Sequence, residues 1–247
     1  MSSSTRPMFA PGRVALVTGS TTGLGRQIAL QLAAEGVEVV VVGRNAARGA
    51  GVVAEIEAAG GKARFAPADL DEPAEIERLA REVGDIDILV NNAGHSVFGP
   101  TARISVPDFD GLFASNVRAP FLLVAAFAPA MAARGYGSIV NVASMAGRLG
   151  LANGAAYGAS KAALVALTQG WTAEFSPRGV RVNAVAPGPI HTREKDRAAF
   201  DALGGTTVLK RAAEPYEIAD VAVFLASDHA SYLTGAVVDA DGGRTAT

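Results

Sequence analysis

The stretch Val14-Ala-Leu-Val-Thr18-Gly19-Ser20-Thr21-Thr22-Gly23-Leu24-Gly25 runs from a β-branched segment through a glycine-rich turn into an Ala- and Leu-rich helical pattern. A strand that feeds a glycine turn and then a helix is how a doubly wound α/β sheet begins. Glycines at such a junction permit a tight turn and let backbone N–H groups and the helix N-terminus approach a pyrophosphate. The spacing Gly19-x-x-x-Gly23-x-Gly25 departs from the Gly-x-Gly-x-x-Gly fingerprint, so position carries the nucleotide reading rather than spacing. Gly19, Thr21, Thr22, Gly23, Leu24 and Gly25 are therefore candidate cofactor-binding residues.

Outward from this unit, short apolar runs alternate with helical patterns. Strands are expected at 14–18, 37–42, 63–67, 87–90, 138–142, 180–185 and 236–239. Helices are expected at 23–36, 46–59, 73–83, 107–134 (with a kink at Pro120), 154–175 and 215–226. The segment 187–210 reads as irregular. The strands are nearly continuous apolar runs, as in a parallel sheet covered on both faces. The expectation is one α/β domain over 13–247, with about seven parallel strands, behind a flexible tail over 1–12.

Composition excludes several classes of function. The chain has 247 residues, 49% of them apolar and 19% charged, enough for a sizeable core, and a net charge of −2. That charge gives no footprint for nucleic acid as a partner. With no cysteine, disulfides, thiolate zinc sites and thiol catalysis are ruled out, and a cytoplasmic location is compatible. The three histidines lack metal-ligand spacing, so no metal is expected. The opening residues hold no apolar signal-type run, and the run 119–133 is too short for a membrane span.

The end of the second strand selects the cofactor. An NAD site usually places Asp or Glu there for the ribose 2′-hydroxyl. This chain has Gly43-Arg44-Asn45 instead. Arg44 could form charge-assisted bonds to a 2′-phosphate, which favours NADP(H), with NAD(H) as the alternative. Asp69-Leu70 follows the third strand, where Asp69 could meet an adenine amino group or cap the next helix. Asn91-Asn92-Ala93-Gly94 follows the fourth strand, at the point where the crevice of such a sheet opens. Asn92, Ala93 and Gly94 suit cofactor-ribose contacts there.

Tyr157 and Lys161 stand one turn apart on a helix, and an ammonium near a phenol favours the phenolate. Taken with the glycine turn, Asn91–Gly94, Asn116 and Ser144, the pair resembles the short-chain dehydrogenase/reductase family over about 13–243. The resemblance implies a single-domain Rossmann-like fold and a catalytic set of Asn116, Ser144, Tyr157 and Lys161. In it, Tyr157 is the acid/base, and Lys161 lowers the Tyr157 pKa and binds the nicotinamide ribose. Ser144 holds the substrate oxygen, and Asn116 supports a water relay. It further implies that Pro187, Gly188, Ile190 and Thr192 contact the cofactor, with Ile190 and Thr192 on the nicotinamide carboxamide, and that the hydride leaves one fixed face. His95, Met145, Leu151, Asn153, His191 and Ser144 would line the substrate pocket, under a lid over about 189–210. Thr22 departs from the basic residue frequent in NADP-preferring relatives.

The implied activity is NADP(H)-dependent interconversion of a ketone and a secondary alcohol. The 3-oxoacyl carrier-protein reductases, acting on a carrier-bound acyl chain, are one model for it. The alternatives are an NAD(H)-dependent sugar, polyol or small-alcohol dehydrogenase and, from another class, a non-catalytic nucleotide-binding regulatory subunit. Excess apolar residues on the helices 119–133 and around Trp171, together with the family's habit, imply a homotetramer.

Overall fold

Alternate residues of a strand face opposite sides of a sheet, and here both sides are apolar. In the computed structural model, which describes residues 6–192 and 196–247, the strands are β1 (Val14–Thr18), β2 (Glu38–Gly43), β3 (Ala63–Pro67), β4 (Ile88–Asn91), β5 (Gly137–Val142), β6 (Val180–Pro187) and β7 (Val237–Ala240). All pair in parallel, in the order β3-β2-β1-β4-β5-β6-β7. The helices are α1 (Gly23–Ala34), α2 (Ala46–Ala58), α3 (Pro73–Val83), α4 (Val106–Phe113), α5 (Ala119–Arg134), α6 (Ala155–Phe175), α7 (Arg197–Gly204) and α8 (Pro215–Ala226).

Val17, Val41 and Val90 face one side, packed with Ile28 and Leu32 of α1 and Ile218 of α8. Leu16, Val40 and Leu89 face the other, packed with Leu79 of α3, Leu123 and Phe127 of α5, and Leu164 and Trp171 of α6. The two cores explain why the strands read as unbroken apolar runs. β1 lies between β2 and β4, so the connections after β1 and β4 diverge and a crevice opens at their C-terminal ends.

Three expectations need correcting. The helix expected over 107–134 does run from Val106 to Arg134, but a π-helical turn over Ala114–Arg118 interrupts it ahead of Pro120. Pro120 has no N–H for the carbonyl of Asn116 four residues earlier, so the regular α pattern cannot continue through that point. By length and composition this helix could cross a membrane. Its buried Leu123, Val124, Phe127 and Met131 instead pack on the sheet, as in a core helix.

The segment expected to be irregular contains α7. The tail is not loose throughout: Phe9 is 5% exposed within the first core, and the Met8 carbonyl accepts from the Asp228 N–H at 2.9 Å. An apolar pair inside the segment supplies the reason. Residues 1–5 lie outside the described residues.

Candidate active site

The glycine turn and the loop after β4 are joined by polar contacts from Thr18, the last residue of β1. Its Oγ1 donates to the Val90 carbonyl at 3.2 Å and accepts from the N–H groups of Asn92 and Ala93, each at 2.9 Å. Asn92 Nδ2 donates back to the Thr18 carbonyl at 2.8 Å. Thr18 was missed as a site residue because a threonine ending a strand carries no signal of its partners. Gly19 has φ +63°, and a side chain at Gly25 would bring Cβ within 2.5 Å of the Gly19 carbonyl oxygen. Thr22, ahead of α1, makes no side-chain capping bond among the described residues, so the first N–H groups of α1 remain available to an anion. Leu24 is buried in the core and can offer only its backbone there.

At the other end of this crevice, Arg44 is 72% exposed and its Nη1 lies 3.7 Å from Asp69 Oδ2. The two residues expected at the adenosine end are thus neighbours, while Leu70 is half-buried and packs against the second core. Asp69 does not cap α3. Its Oδ1 accepts from the Asp71 N–H at 3.2 Å, and Glu72 holds the N-cap position. Asn45 caps α2 by accepting from the Arg48 N–H at 2.9 Å. The side chain of Thr21 lies over Gly43, where an added Cβ would stand 2.7 Å from Thr21 Cγ2.

The four residues of the expected catalytic set converge beside the Asn92–Gly94 loop. Asn116 lies in the π-helical turn, fully buried. Its Oδ1 accepts from the His95 N–H at 3.1 Å, and its Nδ2 donates to the His95 carbonyl and to Ser160 Oγ, each at 3.0 Å. Ser160 Oγ donates in turn to the Tyr157 carbonyl at 2.7 Å, linking the turn to α6. A Cβ at Gly94 would meet Asn116 Oδ1 at 2.5 Å and Lys161 Nζ at 3.5 Å, so the loop closes this tightly only with glycine.

Tyr157 and Lys161 share one face of α6. Lys161 Nζ donates to the Val142 carbonyl at 2.9 Å and stands 6.0 Å from the Tyr157 ring centroid. Burial lowers the Lys161 pKa to about 8. Burial also raises that of Tyr157, and a hydrogen bond with Ser144 works against the rise. The expected lowering of Tyr157 by Lys161 is therefore not what governs this arrangement. The ammonium is held on Val142, and desolvation disfavours the charged form of both groups. The Phe98 ring tilts over Tyr157 at 5.4 Å between centroids.

After β6, Gly188 donates its N–H to the Ala240 carbonyl at 3.1 Å. Pro187 pairs with Ala240, and Ile190 is 8% exposed and bridges to Ala213. Thr192 faces the glycine turn, since a Cβ on Gly23 would lie 3.6 Å from Thr192 Cβ. The two groups of residues expected at the cofactor are thereby brought together from opposite ends of the chain.

The expected substrate residues separate. Asn153, at φ +62°, joins the loops on either side of the cleft by accepting from the Gly99 N–H at 2.8 Å, and Leu151 stands half-buried beside it. Met145, in the short turn that follows Ser144, is buried at 7% exposed. The His95 ring lies against Gly111 of α4. His191 is not free to meet a substrate, because both ring nitrogens are taken by carboxylates, Glu214 at 2.9 Å and Asp201 at 2.7 Å. Of the expected lid, residues 193–195 lie outside the described residues.

The cradle fits a dinucleotide. It has a turn closed around glycines, an uncapped helix N-terminus, and an exposed guanidinium at Arg44 beyond the end of β2. The family model described as short chain dehydrogenase matches residues 13–200. A solved short chain dehydrogenase/reductase family protein is 45% identical, with a TM-score of 0.92, covering 98% of this chain and 100% of its own. D-threitol dehydrogenase of Mycolicibacterium smegmatis is 38% identical over 95% of this chain and 93% of its own length. The solved 3-oxoacyl (acyl-carrier-protein) reductase of Agrobacterium tumefaciens C58, with NADP bound, is 33% identical at a TM-score of 0.89, covering 96% of this chain and 95% of its own.

Proposed function

The chain belongs to the short-chain dehydrogenase/reductase family, oxidoreductases acting between hydroxyl and carbonyl groups, and from that premise we propose that it is an NADP(H)-dependent enzyme interconverting a ketone and a secondary alcohol. The observation that carries this reading is the meeting of Ser144 with Tyr157, and of Lys161 and Asn116 with the Asn92–Gly94 loop. The nicotinamide supplies or accepts the hydride when bound. Tyr157 gives its phenolic proton to the carbonyl oxygen in reduction and takes it back in oxidation. Ser144 donates to the same oxygen as charge develops on it. Lys161 would hold the nicotinamide ribose and, as the ammonium, favours the phenolate of Tyr157. Asn116 fixes the backbone of His95, and with it the floor of the proton path. Ile190 and Thr192 hold the carboxamide end.

Arg44 supports the choice of NADP(H), as an exposed guanidinium with one acidic neighbour that a phosphate dianion would outcompete. A second reading is an NAD(H)-dependent polyol dehydrogenase, of which the likeness to D-threitol dehydrogenase supports the polyol substrate. The 3-oxoacyl reductase likeness supports a carrier-bound acyl substrate less directly. An intact set of acid/base and positioning groups argues against a non-catalytic regulator.

The deciding experiment is a panel of ketones and alcohols, including a 3-oxoacyl thioester and four-carbon polyols, against NADPH, NADH and their oxidised forms. Arg44→Asp is expected to weaken NADPH binding by about tenfold to a hundredfold, the scale of a lost charge-assisted pair, with NADH little changed. An unaltered NADPH affinity removes Arg44 from the reading. Turnover of no alcohol or ketone with any cofactor form removes the reading itself.

A further inference from the structure

His191 lies between Ile190 and Thr192 in the turn after β6, yet its side chain, 8% exposed, is engaged elsewhere. Nε2 is 2.7 Å from Asp201 Oδ1 on α7, and Nδ1 is 2.9 Å from Glu214 Oε1 at the N-cap of α8. Around it, Arg197 of α7 reaches Glu214 at 3.2 Å. Glu217 accepts from the Glu214 N–H at 2.9 Å and is held twice by Arg211 at 2.7 Å. The backbone adds His191 N–H to the Ala213 carbonyl at 3.0 Å and Ala213 N–H to the Pro189 carbonyl at 2.9 Å. One imidazole ring therefore joins the turn, α7 and the start of α8.

A neutral imidazole carries one N–H, whereas carboxylates on both nitrogens need two donors. We propose that His191 is a positioning residue, which as the imidazolium clamps α7 and the start of α8 to the turn bearing Ile190 and Thr192, and lets go of α7 when it loses its proton. The proposal rests on the reading above that this turn seats the nicotinamide end. The released partner is Asp201, whose side chain is 59% exposed, because the Glu214 carboxylate is also held by Arg197 and its backbone N–H by Glu217.

The direction of the pH dependence follows from the groups that face the ring. Glu214 and Asp201 raise the His191 pKa, while burial and Arg197 act against them. A histidine whose folded pKa is raised above about 6.5 contributes fully below that value. The contribution is lost as pH rises through the higher folded value. The clamp is thus closed in mildly acidic solution and opens toward alkaline pH.

Hydrogen–deuterium exchange of the full chain between pH 6 and 9, corrected for intrinsic rates, reads the clamp through the amides of α7, with β5 as the fold control. In the wild type, α7 protection is expected to fall about tenfold with rising pH, the scale of one charge-assisted hydrogen bond. His191→Gln should show low protection at every pH. His191→Arg should keep protection and lose the pH step, a rescue that simple packing would not give. Equal α7 protection in His191→Gln and wild type across the range overturns the proposal. If that variant does not fold, Asp201→Asn decides it, since a pH step that survives there overturns the clamp equally. NADPH fluorescence titration separates the two readings. A wild type that binds no NADPH defeats the functional reading and leaves the exchange result standing.

Discussion

Lys161 is 5% exposed, and its ammonium donates to one carbonyl, that of Val142 at 2.9 Å. Burial that lowers its pKa to about 8 favours the neutral amine in the folded protein. Below pH 8 the lysine is charged whether the chain is folded or not, and the fold bears the full desolvation penalty. Between about 8 and 10.5 the unfolded chain holds the extra proton, so stability rises with pH across that window. Lys161→Met is therefore expected to stabilise the protein by roughly 1–3 kcal/mol at pH 7 while abolishing turnover. Urea melts should show the gap between the two proteins closing as pH approaches 10.5; a destabilised Lys161→Met at pH 7 contradicts the argument. Tyr157→Phe separates chemistry from binding. It should lower turnover by about 10²–10⁴-fold with NADPH binding unchanged, and substantial retained turnover would defeat the acid/base role.

Among the elements, the π-helical turn over Ala114–Arg118 has the most direct consequence for the site, because it is what aims Asn116 at His95 and Ser160. Pro120→Ala restores an N–H to the carbonyl of Asn116 and lets a regular α-helix compete with the turn. Turnover is expected to fall by about tenfold or more, with helix content by circular dichroism unchanged; full activity would show that the turn is held by Asn116 alone. The same segment shows what a sequence can disclose. The apolar pattern of 106–134 announces a helix, and the alternation of such patterns with short β-branched runs announces the parallel sheet. The π turn is invisible there, because its cause includes a backbone 21 residues away, at His95. The glycine turn was legible through its position after β1. The engagement of His191 was not, since Asp201 and Glu214 reach it only once α7 and α8 are folded. Tyr157 and Lys161 were found by their spacing, but the balance of their pKa values depends on burial, which spacing does not carry.

For the whole molecule, the question is what covers the apolar residues that one protomer leaves in water. Along α4, α5 and α6 runs a groove lined by Phe113, Val117, Phe121, Leu167 and Trp171, in which Phe121 is 48% exposed. On the opposite face of the sheet, α8 presents Tyr216 and Phe224, 52% and 41% exposed. A stable contact needs about 1,200–2,000 Å² in total, and a helix pair or a helix with its neighbouring strand edge is the size of element that supplies it. We propose that each patch pairs with its own copy about a twofold axis; two such axes at right angles would close a tetramer of dihedral symmetry. Light scattering is therefore expected to give about four times the 25.1 kDa of the chain. Phe121→Glu places a charge in the first patch and Phe224→Glu in the second; each alone should halve the mass, and the two together should give a monomer. A wild type that is already a monodisperse monomer leaves both patches without a partner and removes the tetramer. If instead only Phe121→Glu changes the mass, the assembly is a dimer through α5 and α6.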